Sequence, residues 1–206
     1  MKTINKLTLL SILASSTLLA SDSSIVNSIG LNIGVSHSSY NQKNQIGDIT
    51  LGNEPDKSFN SYELYTTLKP LSDICTKYNI KPYISYTYSS NIDIKHQYLL
   101  IGINQYHNAN NSELNLYIGS LLGYGQIDYR YDPLNSSKST NTDANSFIGG
   151  IQAGVTYPIA QKLSLNIGGK YLIHDYKTQL KPSDTVHTTI EHDSTSSVAI
   201  GLEYFF

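Results

Sequence analysis

The sequence predicts an all-β fold: an eight-stranded antiparallel transmembrane β-barrel with short periplasmic turns and long extracellular loops. Three observations predict it. Eight segments alternate apolar and polar side chains at the period of a strand. The chain opens on a leader-like run, "MKTINKLTLLSILASSTLLASDSS". It closes on "SSVAIGLEYFF", with an apolar or aromatic side chain at every second position.

In the leader, Lys2 and Lys6 precede an apolar run from Leu7 to Leu19, and small residues follow at Ala20 and Ser21. That is the layout of a secretory signal peptide. The run is too short and serine-rich for a membrane span. Residues 1–21 are expected to be a signal peptide, and residues 22–206 a single barrel domain. Losing the two lysines takes the net charge from a formal −2 to about −4, which does not point to nucleic acid. The one cysteine, Cys75, leaves no internal disulfide to hold the fold.

The segments follow in order. "SIGLNIGVSH" puts Ile29, Leu31, Ile33 and Val35 on one face, against Gly30, Asn32, Gly34 and Ser36. "SYELYTTLK" sets Tyr62, Leu64, Thr66 and Leu68 against Glu63, Tyr65 and Thr67. "KPYISYTYS" sets Ile84, Tyr86 and Tyr88 against Lys81, Tyr83, Ser85 and Thr87. "YLLIGINQY" sets Leu99, Ile101 and Ile103 against Gly102 and Asn104. This fourth segment loses its pattern near Lys95–Tyr98, which leaves its register open to a shift or bulge.

The second half repeats the scheme. "ELNLYIGSLLGYG" gives Leu116, Ile118, Leu122 and Tyr124 against Asn115, Tyr117 and Gly119. Leu121 interrupts the polar side and is expected to pack in the lumen. "SFIGGIQAGVTYP" gives Phe147, Ile151, Val155 and Tyr157 against Gly150, Gln152 and Thr156. "KLSLNIGGKYLI" gives Leu165, Ile167 and Tyr171 against Asn166, Gly168 and Lys170. The last segment gives Val198, Ile200, Leu202, Tyr204 and Phe206 against Gly201, Glu203 and Phe205.

A soluble barrel alternates too, with its apolar face inward; a membrane barrel turns that face to lipid. Loop lengths and aromatic placement favour the membrane. Connections at residues 40–58, 126–143 and 174–194 are long, whereas those at 70–79, 107–112 and 158–162 are short; the connection at 89–94, also short, is the exception to the alternation. With the first segment running outward, Tyr62, Tyr86, Tyr88, Tyr124, Phe147 and Tyr171 fall on apolar faces near the outer rim. Tyr157, Tyr204 and Phe206 fall near the inner rim. Tyrosine suits that level because one end is apolar and the other hydrogen-bonds.

The ending Ile200, Leu202, Tyr204 and Phe206 resembles the C-terminal insertion signal of bacterial outer-membrane β-barrels. The mature chain is similar to their small eight-stranded class, including OmpA-like transmembrane domains and surface opacity proteins. The resemblance implies a place in the bacterial outer membrane, among outer-membrane lipid and lipopolysaccharide. It also implies that the outer-membrane assembly machinery reads the terminal motif. Lipid offers the backbone no hydrogen bonds, so the first strand is expected to pair with the last. A barrel of eight strands is only wide enough for its side chains to fill it. Glu63, Lys81, Lys170 and Glu203 face that lumen and are expected to form an internal network of opposite charges.

These residues suggest a structural or surface-exposed interaction role through loops rich in Asn, Ser, Thr, Asp and Lys, such as "DPLNSSKSTNTDANS". No catalytic residue, metal or cofactor is expected, and the extracellular ligand is open. Three other readings stay on the table. One is a narrow ion or small-solute channel. Another is a soluble periplasmic lipocalin-like ligand carrier, with every face inverted. The third is an outer-membrane lipid-modifying hydrolase, for which His37 with Ser38 and Ser39, His174 with Asp175, and His187 with Glu191, His192 and Asp193 supply the residue types. His37, His174 and His192 would be the donors of a transient metal site.

Overall fold

The computed structural model describes residues 25–46, 49–53, 57–91, 94–109, 113–131, 140–183 and 186–206. The expected leader, residues 1–21, lies outside the described residues. Among the described residues nine strands make one antiparallel sheet: β1 Val26–Ile46, β2 Ile49–Asn53, β3 Lys57–Leu68, β4 Ile80–Ser90, β5 Ile94–Asn108, β6 Asn115–Tyr131, β7 Thr140–Ala160, β8 Leu163–Ser183 and β9 Val186–Phe205. A short helix, α1 Asp73–Lys77, joins β3 to β4. Strand β1 pairs with β9 from Ser28 opposite Phe205 to Ile46 opposite Val186, and the sheet closes. Strands β2 and β3 share one stave: Gln42 opposite Asn53 and Ser38 opposite Lys57 belong to the same register along β1. The barrel therefore has eight staves, as the sequence predicts.

Between the aromatic rims the faces divide as expected for a membrane barrel. Leu31, Ile118, Ile167 and Leu202 are exposed, while Asn32 and Asn166 are buried inside. This orientation excludes the lipocalin-like carrier, which needs the reverse. Close packing inside fixes where glycine stands. A Cβ at Gly30 would lie 2.1 Å from the Tyr65 ring, and one at Gly168 would lie 2.2 Å from the Tyr117 hydroxyl. Only a residue without a side chain lets those tyrosines lie across the lumen.

Two expectations need correction. The long connections are mostly wall: β1 continues to Ile46, β6 to Tyr131 and β8 to Ser183, while β7 resumes at Thr140 and β9 at Val186. The fourth segment has no bulge. Strand β5 pairs in unbroken register with β6 over its whole length and with β4 from Lys95 to Gln105. Its upper half looked irregular because its inward residues Ile94, His96, Tyr98 and Leu100 are apolar or aromatic, and all are buried.

The inner end carries tight connections. Between β7 and β8 only Gln161 and Lys162 intervene, after a register shift near Pro158. Asn79, which follows α1, has φ of 50°, a left-handed conformation that asparagine tolerates. Its carbonyl accepts the Tyr106 N–H at 3.0 Å. Ser72 caps α1 by accepting the Cys75 N–H at 3.3 Å.

Candidate functional site in the barrel lumen

The interior has two layers. The lower one is polar. Lys170 and Glu63 form an ion pair across the lumen. Glu63 also accepts from the Tyr83 hydroxyl at 2.6 Å and from Asn32 Nδ2 at 2.9 Å, while Lys170 donates to the Tyr83 hydroxyl at 2.9 Å. The Glu63 carboxylate thus has three donors, as a buried charge requires. Around this centre Gln152 donates to Asn104 Oδ1 at 2.6 Å, and Asn166 donates to the Tyr65 hydroxyl at 2.9 Å. A polar cavity of about 30 Å³ remains beside Asn32, Glu63, Asn104, Gln152 and Lys170.

Glu203 and Lys81 lie nearer the inner end. Glu203 is buried and accepts from Ser28, which also bonds Thr67. Lys81 is half-buried, with its Nζ 4.9 Å from the Tyr106 ring centre and 6.0 Å from that of Phe205. Among the described residues the ion pair of the lumen is the one between Glu63 and Lys170.

The upper layer is apolar and aromatic. Leu100, Leu121, Ile148 and Leu172 are buried directly above the polar centre. Over them sit Tyr98, Phe59, Tyr40, Tyr176, Ile94 and Ile190, also buried. Three histidines join this cluster. His96 is held by the hydroxyls of Tyr40, at 2.9 Å, and Tyr98. His192 stacks on Tyr40 at 4.3 Å between ring centres and meets His174 edge-on at 4.3 Å. His174 donates from Nδ1 to the His192 carbonyl at 2.9 Å, so its Nε2 accepts from the Thr195 hydroxyl at 3.0 Å.

This arrangement decides between the histidine readings. His174 and His192 are inside the wall and not in a loop, whereas His37 is exposed on the outer face. Asp175 and Asp193 are exposed as well, and the hydrogen-bond partners of His174 among the described residues are the His192 carbonyl and the Thr195 hydroxyl, not a carboxylate. Its Nδ1, the atom a triad acid would orient, is taken by a backbone carbonyl. The side chain of His187 lies outside the described residues. Among the described residues no group of three His, Cys, Asp or Glu is arranged to hold a metal ion.

On the outside, Tyr62, Tyr124, Phe147 and Tyr171 are exposed at one level and Tyr157, Tyr204 and Phe206 at the other. Tyr86 is half-buried and donates to Gln97 at 2.9 Å. Tyr124 and Phe147 meet edge-on at 5.6 Å, as do Tyr204 and Phe206 at 5.4 Å. Ile200 and Leu202 are exposed between the rims. The Phe206 N–H donates to the Asn27 carbonyl at 3.2 Å. Above the outer rim the outward residues turn polar. There Lys177 pairs with Glu191 at 2.5 Å and Lys43 with the same carboxylate at 3.6 Å. The Lys177 hydrogen bond and charge hold the Glu191 carboxyl below its usual range.

Sequence reasoning missed His96, Tyr98, Tyr40, Phe59 and Tyr176. A signal for them exists: Ile94, His96, Tyr98 and Leu100 alternate in the phase opposite to Leu99, Ile101 and Ile103.

No family model matches the chain, and no curated protein matches it in sequence. Solved structures do match in shape. Neisserial surface protein A is 14% identical with a TM-score of 0.56, over 86% of this chain and 97% of that one. The outer membrane protein OprG from Pseudomonas aeruginosa is 14% identical with a TM-score of 0.58, over 87% of this chain and 96% of that one. The chain has the fold of the small eight-stranded outer-membrane β-barrels.

Proposed function

We propose that this chain is a bacterial outer-membrane protein whose sealed barrel holds surface-exposed loops clear of the lipid, in a structural or interaction role. The leading support is the continuation of the wall beyond the outer rim with an apolar core of its own. From Tyr171 to Ser183, at about 3.3 Å per residue and a tilt of about 40°, β8 rises roughly 30 Å. A loop at that height clears the headgroups, and the packed interior stiffens its support. Residues 1–21 serve as the export leader in this reading, and the assembly machinery reads Ile200, Leu202, Tyr204 and Phe206. Lipopolysaccharide surrounds the outer rim, and the loops are placed to meet an extracellular surface.

The layer of Leu100, Leu121, Ile148 and Leu172 supports a closed pore, since ions must be stripped of water to pass it. Planar bilayers test this. The purified barrel is expected to give no steady conductance steps; discrete, reproducible steps would favour the narrow channel. Replacing residues 132–139 by a short Gly-Ser linker is expected to abolish adhesion to a target surface while the barrel still folds. Unchanged adhesion would remove that loop from the role.

A further inference from the structure

We infer that the periplasmic connection bearing α1, together with the groove above it, docks on phospholipid of the inner leaflet. This inference rests on the outer-membrane reading above and adds a second lipid contact outside the strands. Leu71 precedes the extended N-cap Ser72, Ile74 lies within α1 and Tyr78 is its C-cap, so the connection carries three large apolar side chains within eight residues. They are 73%, 69% and 51% exposed, and α1 buries no residue of its own. Three large exposed apolar side chains on one short connection need a covering surface.

Three observations identify the cover as lipid. First, the patch continues the lipid-facing belt. Strand β3 ends at Leu68, and Leu68 and Pro82 line an apolar groove of about 490 Å³ with Ile84, Ile101, Ile103 and Leu122. Its upper members are exposed residues of the membrane-facing wall. Second, the patch is flanked by the exposed cations Lys69 and Lys77, suited to anionic headgroups. The Lys77 ammonium lies 5.4 Å from the centre of the Tyr78 ring, a pairing of amphipathic side chains that fits the headgroup level. Third, the connection between β7 and β8 at the same rim offers only Gln161 and Lys162. The β3–β4 connection, with Leu71, Ile74 and Tyr78, is the more apolar of these two. An acyl chain lies in the groove while α1 rests in the interface, its short axis along the leaflet.

The chain has no tryptophan, so each introduced one is a sole reporter. Ile74→Trp, Tyr124→Trp and Asn145→Trp are each made in the full-length barrel. Each is reconstituted in vesicles of phosphatidylethanolamine and phosphatidylglycerol, with and without brominated acyl chains. Tyr124→Trp marks the outer rim and Asn145→Trp the water-facing wall. Ile74→Trp is expected to show blue-shifted emission and a loss of intensity in brominated vesicles comparable to Tyr124→Trp, with Asn145→Trp unaffected. A nitroxide on the native Cys75 is expected to be more accessible to oxygen than to a water-soluble nickel chelate. Water-like emission from Ile74→Trp with normal quenching of Tyr124→Trp would overturn the inference, leaving a periplasmic protein as the cover. Loss of quenching at Tyr124→Trp as well would overturn the outer-membrane reading beneath it.

Discussion

Strand β8 is two strands in one. Below Tyr171 it turns Leu165 and Ile167 outward and Asn166 and Lys170 inward; above it, Asp175 and Lys177 face out and His174 and Tyr176 face in. Strand β1 makes the same exchange, from Leu31 outward and Asn32 inward to Lys43 outward and Tyr40 inward. Backbone pairing runs through both regions, so the hydrogen bonds do not cause the difference. The solvent does. Between the rims the outside is hydrocarbon, and apolar side chains there need no burial. Above the outer rim the outside is water, and the barrel must bury apolar area within itself like any soluble domain. One closed sheet thus serves two solvents by inverting its faces at the aromatic level.

The two interiors should fail differently. The largest effect is expected from Lys170→Met in the lower layer, which strands the Glu63 carboxylate without its cation. Loss of one partner of a buried pair costs about 3–5 kcal/mol. Urea unfolding from lipid vesicles measures it, and Glu63→Gln in the same chain should return most of the loss. If Lys170→Met alone is neutral, water reaches the pair and the lower lumen is not closed.

A comparable loss, about 3–5 kcal/mol, is expected from Phe59→Ala in the upper layer, where the ring is 2% exposed and packs 4.9 Å from His96. Its consequence should be local. Protease is expected to cut the upper wall while heat-modifiable gel migration of the membrane barrel persists. Loss of both together would mean that the two regions fold as one unit.

The smallest effect comes from a charge placed on the outside. Ile167→Arg puts it in hydrocarbon and is expected to cost about 2–4 kcal/mol. Asn145→Arg puts it on the upper wall, in water, and is expected to stay within about 0.5 kcal/mol. Equal costs at the two positions would place the boundary elsewhere than the ring of Tyr124, Phe147 and Tyr171.

The same inversion explains which parts of the fold were legible. Each segment between the rims was visible because one rule, apolar out and polar in, holds from Ile29 to Val35 or from Leu163 to Tyr171. Continued past the rim, that rule meets polar residues on the face where apolar ones are expected, and the strand looks finished. The sequence pattern therefore ends β1, β6 and β8 too early and starts β7 and β9 too late. In β5 the opposite-phase run Ile94, His96, Tyr98 and Leu100 looked like an error of register. The inward positions of Glu63, Lys170, Lys81 and Glu203 followed from parity alone, but the partner of each did not. Glu63 and Lys170 are 107 residues apart in the chain, and nothing local links them.

By itself, then, the sequence determined the stave count, the closure of first strand on last, the lipid-facing side and the level of the rims, because each follows from the number of alternating segments, the placement of aromatic residues along them and the cost of an open sheet edge in lipid. Tertiary structure alone decided where the walls end, which lumen charges meet and how the three histidines stack. Those depend on stagger between strands and on which solvent lies outside a given height, and neither is written in any single segment.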